Sequence, residues 1–237
     1  MNYDGIFFDS GNTIYGFGQE GTEDPTSADV NVGGPLRAAT ALQWLGHDVD
    51  NLRVAQYLGD WRSLYREVGP SYTEEVLVTR LFEQLGLEPR QDEILYVTGV
   101  FSGPRYRSWL YPGVAETMQQ LADREIPMGL IANTSVPGWV MDRNFRGVGL
   151  LQFLSVRIYS GDEGVEKPNV EIFRTAEQRS GLAGKRLIYM GDRVDADMAG
   201  AETAGWDSVL FRSVAATSDG RATFEIDSWS DLPAILA

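Results

Sequence analysis

Four short polar segments, in a fixed order along the chain, hold residue types that can handle phosphate and a hard divalent cation. They are Ile6-Phe7-Phe8-Asp9-Ser10-Gly11-Asn12-Thr13, Leu130-Ile131-Ala132-Asn133-Thr134, Glu166-Lys167-Pro168, and Met190-Gly191-Asp192-Arg193-Val194-Asp195-Ala196-Asp197. Three of them end an apolar run, so each polar tip should project from the end of a β-strand. A buried scaffold that delivers carboxylates, an amide and an ammonium group to one rim suits Mg²⁺ and phosphate. An aspartate in the position of Asp9 can act as a nucleophile and form an aspartyl-phosphate. Taken alone, Asp9 reads as a turn residue that satisfies backbone N–H groups. The other three segments strengthen the catalytic reading.

The elements that must position these tips follow from the hydrophobic pattern. Tyr3 to Phe8 reads as a buried strand followed by a turn. Residues 16–35 hold Gly16, Gly18, Gly21, Gly33, Gly34 and Pro25 with several acids, and read as a loop, a surface excursion or a flap over the site. From Pro35 to about Ser108 the pattern is helical. Leu36, Ala39, Leu42 and Leu45 suit one helix face, and Gly46 ends it. Leu52 to Val68 continues with Tyr57, Trp61, Leu64 and Tyr65. Thr73 is an N-cap candidate for a helix that stops at Gly86, and Gln91 to Phe101 makes one more. After Trp109 strand-like and helix-like stretches alternate: strands at 127–132, 153–159, 186–190 and 206–211, helices at 137–146, 169–178 and 195–204. This alternation predicts an α/β fold, a Rossmann-like parallel sheet with helices on both faces. The first strand precedes the helical unit and the others follow it. The expected organisation is a core of residues 1–15 and 109–237 with an inserted all-helical cap domain, residues 16–108, that begins with the Gly-rich acidic loop.

Composition narrows the classes. The chain has 237 residues, no cysteine and one histidine, which excludes disulfides and thiolate metal sites and argues against zinc. A net charge of −14 argues against nucleic-acid binding, which needs a basic face. No apolar run is long enough to span a bilayer, and no basic segment followed by an apolar one opens the chain. The expectation is a cytoplasmic protein with a small-molecule phosphorylated substrate, no nucleic-acid or membrane partner, and an oligomeric state left open.

With these segments in place the chain resembles the haloacid dehalogenase-like hydrolase superfamily. The resemblance rests on Asp9 to Thr13, Ala132-Asn133, Lys167-Pro168, and Gly191-Asp192 with Asp197. Leu110-Tyr111-Pro112-Gly113-Val114 and the stretch Gly200-Ala201 to Ala204-Gly205 add to it. The resemblance implies that Asp9 is the nucleophile and a Mg²⁺ ligand, with the Gly11 carbonyl and Asp192 as further ligands. It implies that Asp197 orients metal waters or Lys167, and so counts with the metal site. Asp195 is a further candidate for the site, or equally the N-cap of the following helix. Lys167 would neutralise phosphate charge. The Asn133 amide would hold a phosphate oxygen, with Thr134 as a second phosphate contact.

Two positions depart from the family pattern. Gly11 stands where phosphatases of the family carry a second aspartate as general acid and base, help worth ~10²–10⁴-fold. Ala132 stands where a Ser or Thr hydroxyl binds phosphate, and Thr134 is the candidate substitute. The leading expectation is a Mg²⁺-dependent phosphohydrolase acting through an aspartyl-phosphate. The alternatives are a 2-haloacid dehalogenase, or a catalytically weak relative that binds a ligand or partner. Among the arginines, Arg105, Arg107, Arg143 and Arg146 are candidates for an anionic substrate. Arg143 and Arg146 are the best placed of these on sequence, just after the second segment. Trp61, Tyr65 and Tyr72 are candidates to line a cap pocket, with core packing the better reading for Trp61 and Tyr65.

Overall fold

The computed structural model describes residues 3–16, 23–59, 65, 67–213 and 217–236. Trp61, Leu64, Gly18 and Gly21, which the sequence reading used, lie outside that set. A parallel sheet of six strands runs through the molecule in the order β3-β2-β1-β4-β5-β6. Its strands are β1 (Gly5–Phe8), β2 (Met128–Ala132), β3 (Val156–Tyr159), β4 (Leu187–Gly191), β5 (Asp207–Phe211) and β6 (Phe224–Ile226). The central strands β1, β2 and β4 are buried along their whole length. That is the rule for parallel sheets covered on both faces. Side chains alternate between two apolar layers. Ile6 and Phe8 face a cluster with α5 (Val114–Asp123) and α6 (Gly138–Gly147), while Phe7 faces a cluster with α8 (Val170–Ser180) and α9 (Ala199–Ala204).

Register brings the site residues to one rim. Phe8 pairs with Leu130 on one side and with Met190 on the other. Asp9 therefore leaves the sheet between the ends of β2 and β4, and its N–H donates to the Met190 carbonyl at 2.8 Å. Asn133 and Asp192 follow the last residues of β2 and β4 directly.

Between β1 and β2 the chain forms α1 (Ser27–Trp44), α2 (Asn51–Gly59), α3 (Glu74–Leu85) and α4 (Gln91–Ser102). These helices enclose an apolar cluster of their own, built on Leu42, Val54, Leu77, Leu81, Phe82 and Val97. The caps match the sequence reading. Thr73 accepts from the Val76 N–H, and Gly86 closes α3 in the left-handed conformation.

Residues 27–35, expected in a loop, are helical instead. Thr26 and Asp29 cap the helix reciprocally, with the Thr26 N–H donating to Asp29 at 2.8 Å. Gly34 is a contact point rather than a breaker, since a Cβ there would sit 3.1 Å from the Phe101 carbonyl oxygen. Pro35 lies inside the helix without ending it. The buried face of α1 carries Ala38, Ala39, Ala41 and Leu42, whereas Leu36, expected inside, is 62% exposed. The helical stretch expected from Asp195 opens with a π-helical turn, Val194–Met198, before α9. Two short helices, α7 (Ser160–Glu163) and α10 (Leu232–Ile235), also occur among the described residues, and the edge strand β6 had no counterpart in the sequence reading.

Candidate active site

Asp9, Lys167, Asp192 and Asp197 meet at the carboxyl ends of β1 and β4. Carboxylate oxygens of Asp9, Asp192 and Asp197 all lie within 4.8 Å of one another. The Lys167 ammonium, nearly inaccessible, donates to Asp9 Oδ1 at 2.6 Å and to Asp197 Oδ1 at 2.7 Å. Its third N–H goes to the Tyr189 hydroxyl at 2.6 Å, and Tyr189 donates onward to the Ile131 carbonyl at 2.8 Å. All three ammonium hydrogens thus have partners, so the Lys167 side chain has one position. Asp9 Oδ2 takes a longer bond, 3.5 Å, from Thr13 Oγ1.

Asp197 is held from two sides. One oxygen accepts from Lys167, and the other accepts from the Arg193 N–H at 3.0 Å. This approach requires glycine at 191, because a Cβ there would lie 2.3 Å from Asp197 Oδ2. Asp195 is not the N-cap that was one of its readings. It is exposed, and its carboxylate pairs with the Arg193 guanidinium at 2.7 Å.

The electrostatics follow from burial. Burial raises the Asp9 carboxyl, Lys167 partly offsets this and Asp197 adds to it, leaving the pKa at about 6. Burial, then Asp9 and Asp197, push Asp192 to about 7. Burial pulls the Lys167 ammonium down, but Asp197 and Asp9 outweigh it and the net direction is up. With all three carboxylates ionised, three against one ammonium leave two negative charges in a largely buried space. The donor set is all oxygen and its excess charge is that of one divalent cation. A hard cation such as Mg²⁺ fits this chemistry.

The remaining predicted residues line the same cleft, which holds about 220 Å³ and includes Gly11, Asn133 and Thr134. Asn133 is engaged mainly with the lysine loop. Its Oδ1 accepts from the Lys167 N–H and its Nδ2 donates to the Lys167 carbonyl, both at 2.9 Å. Its second Nδ2 hydrogen is the one left for a ligand. The Thr134 hydroxyl accepts from the Val136 N–H at 3.0 Å and keeps its own proton. Ala132 is fully buried and offers no polar atom.

Arg143, ranked first with Arg146 on sequence, is directed elsewhere. It donates to the Gly99 and Gly103 carbonyls at 3.0 and 2.9 Å and so ties α6 to the end of α4. Arg146 is exposed, and Arg105 lines the cleft. Tyr72 is a core residue, while the Tyr65 hydroxyl reaches Glu166 at 3.4 Å at the mouth of an adjoining cleft. Tyr189 was missed. The available signal was a tyrosine inside an otherwise apolar strand, since a buried phenol needs a partner.

Comparison with known proteins identifies the family. The model of the haloacid dehalogenase-like hydrolases matches residues 3–205, and the chain belongs to that family. The glyceraldehyde 3-phosphate phosphatase of Methanopyrus kandleri is 35% identical over 103 residues, which span 43% of this chain and 43% of that protein. The ribulose-1,5-bisphosphate 5-phosphatase of Halopiger xanaduensis is 25% identical over 211 residues, 87% of this chain and 83% of that one. Among solved structures, a HAD phosphatase from Thermococcus onnurineus superposes with a TM-score of 0.64 at 21% identity, covering 100% of this chain and 98% of that one. At that identity the likeness concerns the fold. Among the described residues, no helix is long and apolar enough to cross a membrane.

Proposed function

We propose that this chain is a Mg²⁺-dependent phosphohydrolase of small phosphorylated metabolites, with Asp9 as nucleophile. The observation that carries the reading is the convergence of Asp9, Asp192 and Asp197 around one buried ammonium in a polar cleft. Relatives named as phosphatases of small sugar phosphates and related metabolites support it. Asp9, Asp192 and the Gly11 carbonyl would hold the cation. When bound, it would neutralise the carboxylates and polarise the phosphoryl oxygens. Asp197, with both oxygens occupied by Lys167 and Arg193, acts mainly as the group that positions the lysine.

The chain's own residues then do the following. Lys167 fixes Asp9 through Oδ1 and presents positive charge where the phosphoryl group arrives. The second Asn133 N–H takes a phosphoryl oxygen. A carboxylate oxygen of Asp9 attacks phosphorus, and the ester oxygen leaves with the bonding pair. Water then attacks phosphorus of the aspartyl-phosphate, releasing phosphate and restoring Asp9. Gly11 supplies no proton to the leaving oxygen, so good leaving groups are favoured. Residues 16–108 serve as a cap over the core formed by 1–15 and 109–237. Their helices touch the rim through the Glu74 N–H to Ser135 carbonyl bond at 2.9 Å and the Trp139–Glu75 bond at 3.2 Å.

A haloacid dehalogenase would share Asp9 and Lys167, but metal-free chemistry gives no use to Asp192. The test is hydrolysis of a panel of phosphomonoesters with and without Mg²⁺, beside chloride release from a 2-haloacid. Mg²⁺-dependent phosphate release that Asp192→Asn abolishes supports the proposal. Metal-independent chloride release refutes it, and turnover of neither class points to a binding protein.

A further inference from the structure

We infer that Arg105 reads a second anionic group, a carboxylate or a second phosphate, on the substrate. The inference rests on the phosphohydrolase reading and extends it to substrate class.

Arg105 lies just past α4, where the chain returns from the helical insertion to the core. It lines the same cleft as Asp9 and Lys167. Two other arginines near it are taken up by main-chain carbonyls. Arg37 donates to Val30, Val100 and Phe101 at 2.7–2.8 Å, and Arg143 to Gly99 and Gly103. Arg105 makes one long bond, 3.3 Å, from Nη1 to the Pro104 carbonyl. Its Nε is buried without a partner. Among the described residues no carboxylate pairs with it, whereas eight other arginines of this acidic chain are ion-paired.

Its guanidinium also has an aromatic neighbour. It lies over the Trp109 ring at 5.7 Å, and Trp109 is buried with its indole N–H on the Pro25 carbonyl at 2.9 Å. A half-buried guanidinium with N–H groups left without protein partners is a fork that matches carboxylate or phosphate oxygens in pairs. Arg37 and Arg143 add positive potential behind it, countered locally by Glu74. The cleft, at about 220 Å³, has room for roughly seven water volumes. That suits a phosphate and a short carbon chain ending in the second anion.

The experiment compares three phosphomonoesters with Mg²⁺: ethyl phosphate, 2-phosphoglycolate, and 1,3-propanediol bisphosphate. The wild type should favour one or both doubly anionic compounds over ethyl phosphate in kcat/KM. The ratio for each shows whether carboxylate or phosphate is preferred. Arg105→Met should collapse that ratio by roughly ten- to hundredfold, chiefly through KM, as expected for one charged hydrogen-bonding pair. Arg105→Lys keeps charge but not the fork, and should lower the ratio in part. Arg107→Met, an exposed neighbour, should leave the ratio unaltered. Turnover of ethyl phosphate without preference, or a preference that survives both Arg105 variants, overturns this inference alone. Turnover of none of the three while an aryl phosphate is hydrolysed overturns this inference alone, and turnover of neither the three nor an aryl phosphate overturns the phosphohydrolase reading and this inference with it.

Discussion

Replacing Lys167 with methionine removes the ammonium and keeps most of the packing, and the consequence can be worked from its partners. Lys167 donates to Asp9 at 2.6 Å, to Asp197 at 2.7 Å and to Tyr189 at 2.6 Å. Asp197 is 1% exposed and Asp9 8%. Breaking a buried pair by removing one partner destabilises by about 3–5 kcal/mol, because the other charge stays buried. The sign of the pH dependence follows from Asp9. Its pKa is already near 6 with the lysine present, and removing Lys167, which lowers it, moves it further up. Near pH 8 the variant leaves Asp9 and Asp197 buried without the ammonium, and the full loss appears. Near pH 5 Asp9 is largely protonated in both proteins, so only the Asp197 partnership is lost and the penalty falls to roughly half. Lys167 itself stays charged throughout, since its pKa is raised. Urea unfolding in chelator at about pH 5 and pH 8 reads both values. A loss below ~1 kcal/mol near pH 8, or equal losses at the two pH values, would refute the reasoning.

Further outcomes follow from the same geometry. Asp9 near 6 and Asp192 near 7 lie above the unfolded carboxylate range of roughly 4, so the cation-free fold loses stability as pH rises through that window. Mg²⁺ should therefore raise Tm more near pH 8 than near pH 5 in thermal scanning, and equal increments would contradict this. Tyr189→Phe leaves one Lys167 N–H and the Ile131 carbonyl without their partner, so kcat should fall about tenfold with Mg²⁺ affinity by calorimetry little changed. Gly191→Ala forces Asp197 aside and should cost about 2 kcal/mol or more in urea unfolding, along with most of the activity. Gly11→Asp should raise turnover of alkyl phosphates more than that of aryl phosphates in steady-state assays, because only the former need a proton on the leaving oxygen.

Much of the candidate site's rim was readable because strand ends announce themselves. Phe8 before Asp9, Ala132 before Asn133 and Gly191 before Asp192 are apolar runs that stop at a polar tip, and the sheet register places those tips together. Thr73 and Gly86 marked helix ends through local chemistry. What was not readable depended on distant neighbours. Gly33, Gly34 and Pro35 look like a loop until Phe101 is seen pressing on Gly34. Arg143 and Arg105 look alike in sequence. Only the fold shows one bonded to the carbonyls of Gly99 and Gly103 and the other lining the cleft. Tyr189 shares its strand with core side chains, and its role depends on a lysine 22 positions away.

The central claim is that Asp9 carries the phosphoryl group, and a trapped phosphoenzyme tests it most directly. The protein is mixed with a phosphomonoester that it turns over and Mg²⁺, quenched in acid within one turnover, digested, and its peptides read by mass spectrometry. The account predicts one phosphoryl group on Asp9, formed only with Mg²⁺ and absent from Asp9→Asn. Phosphate release at the wild-type rate with no label on Asp9, or with the label on another residue, would contradict it.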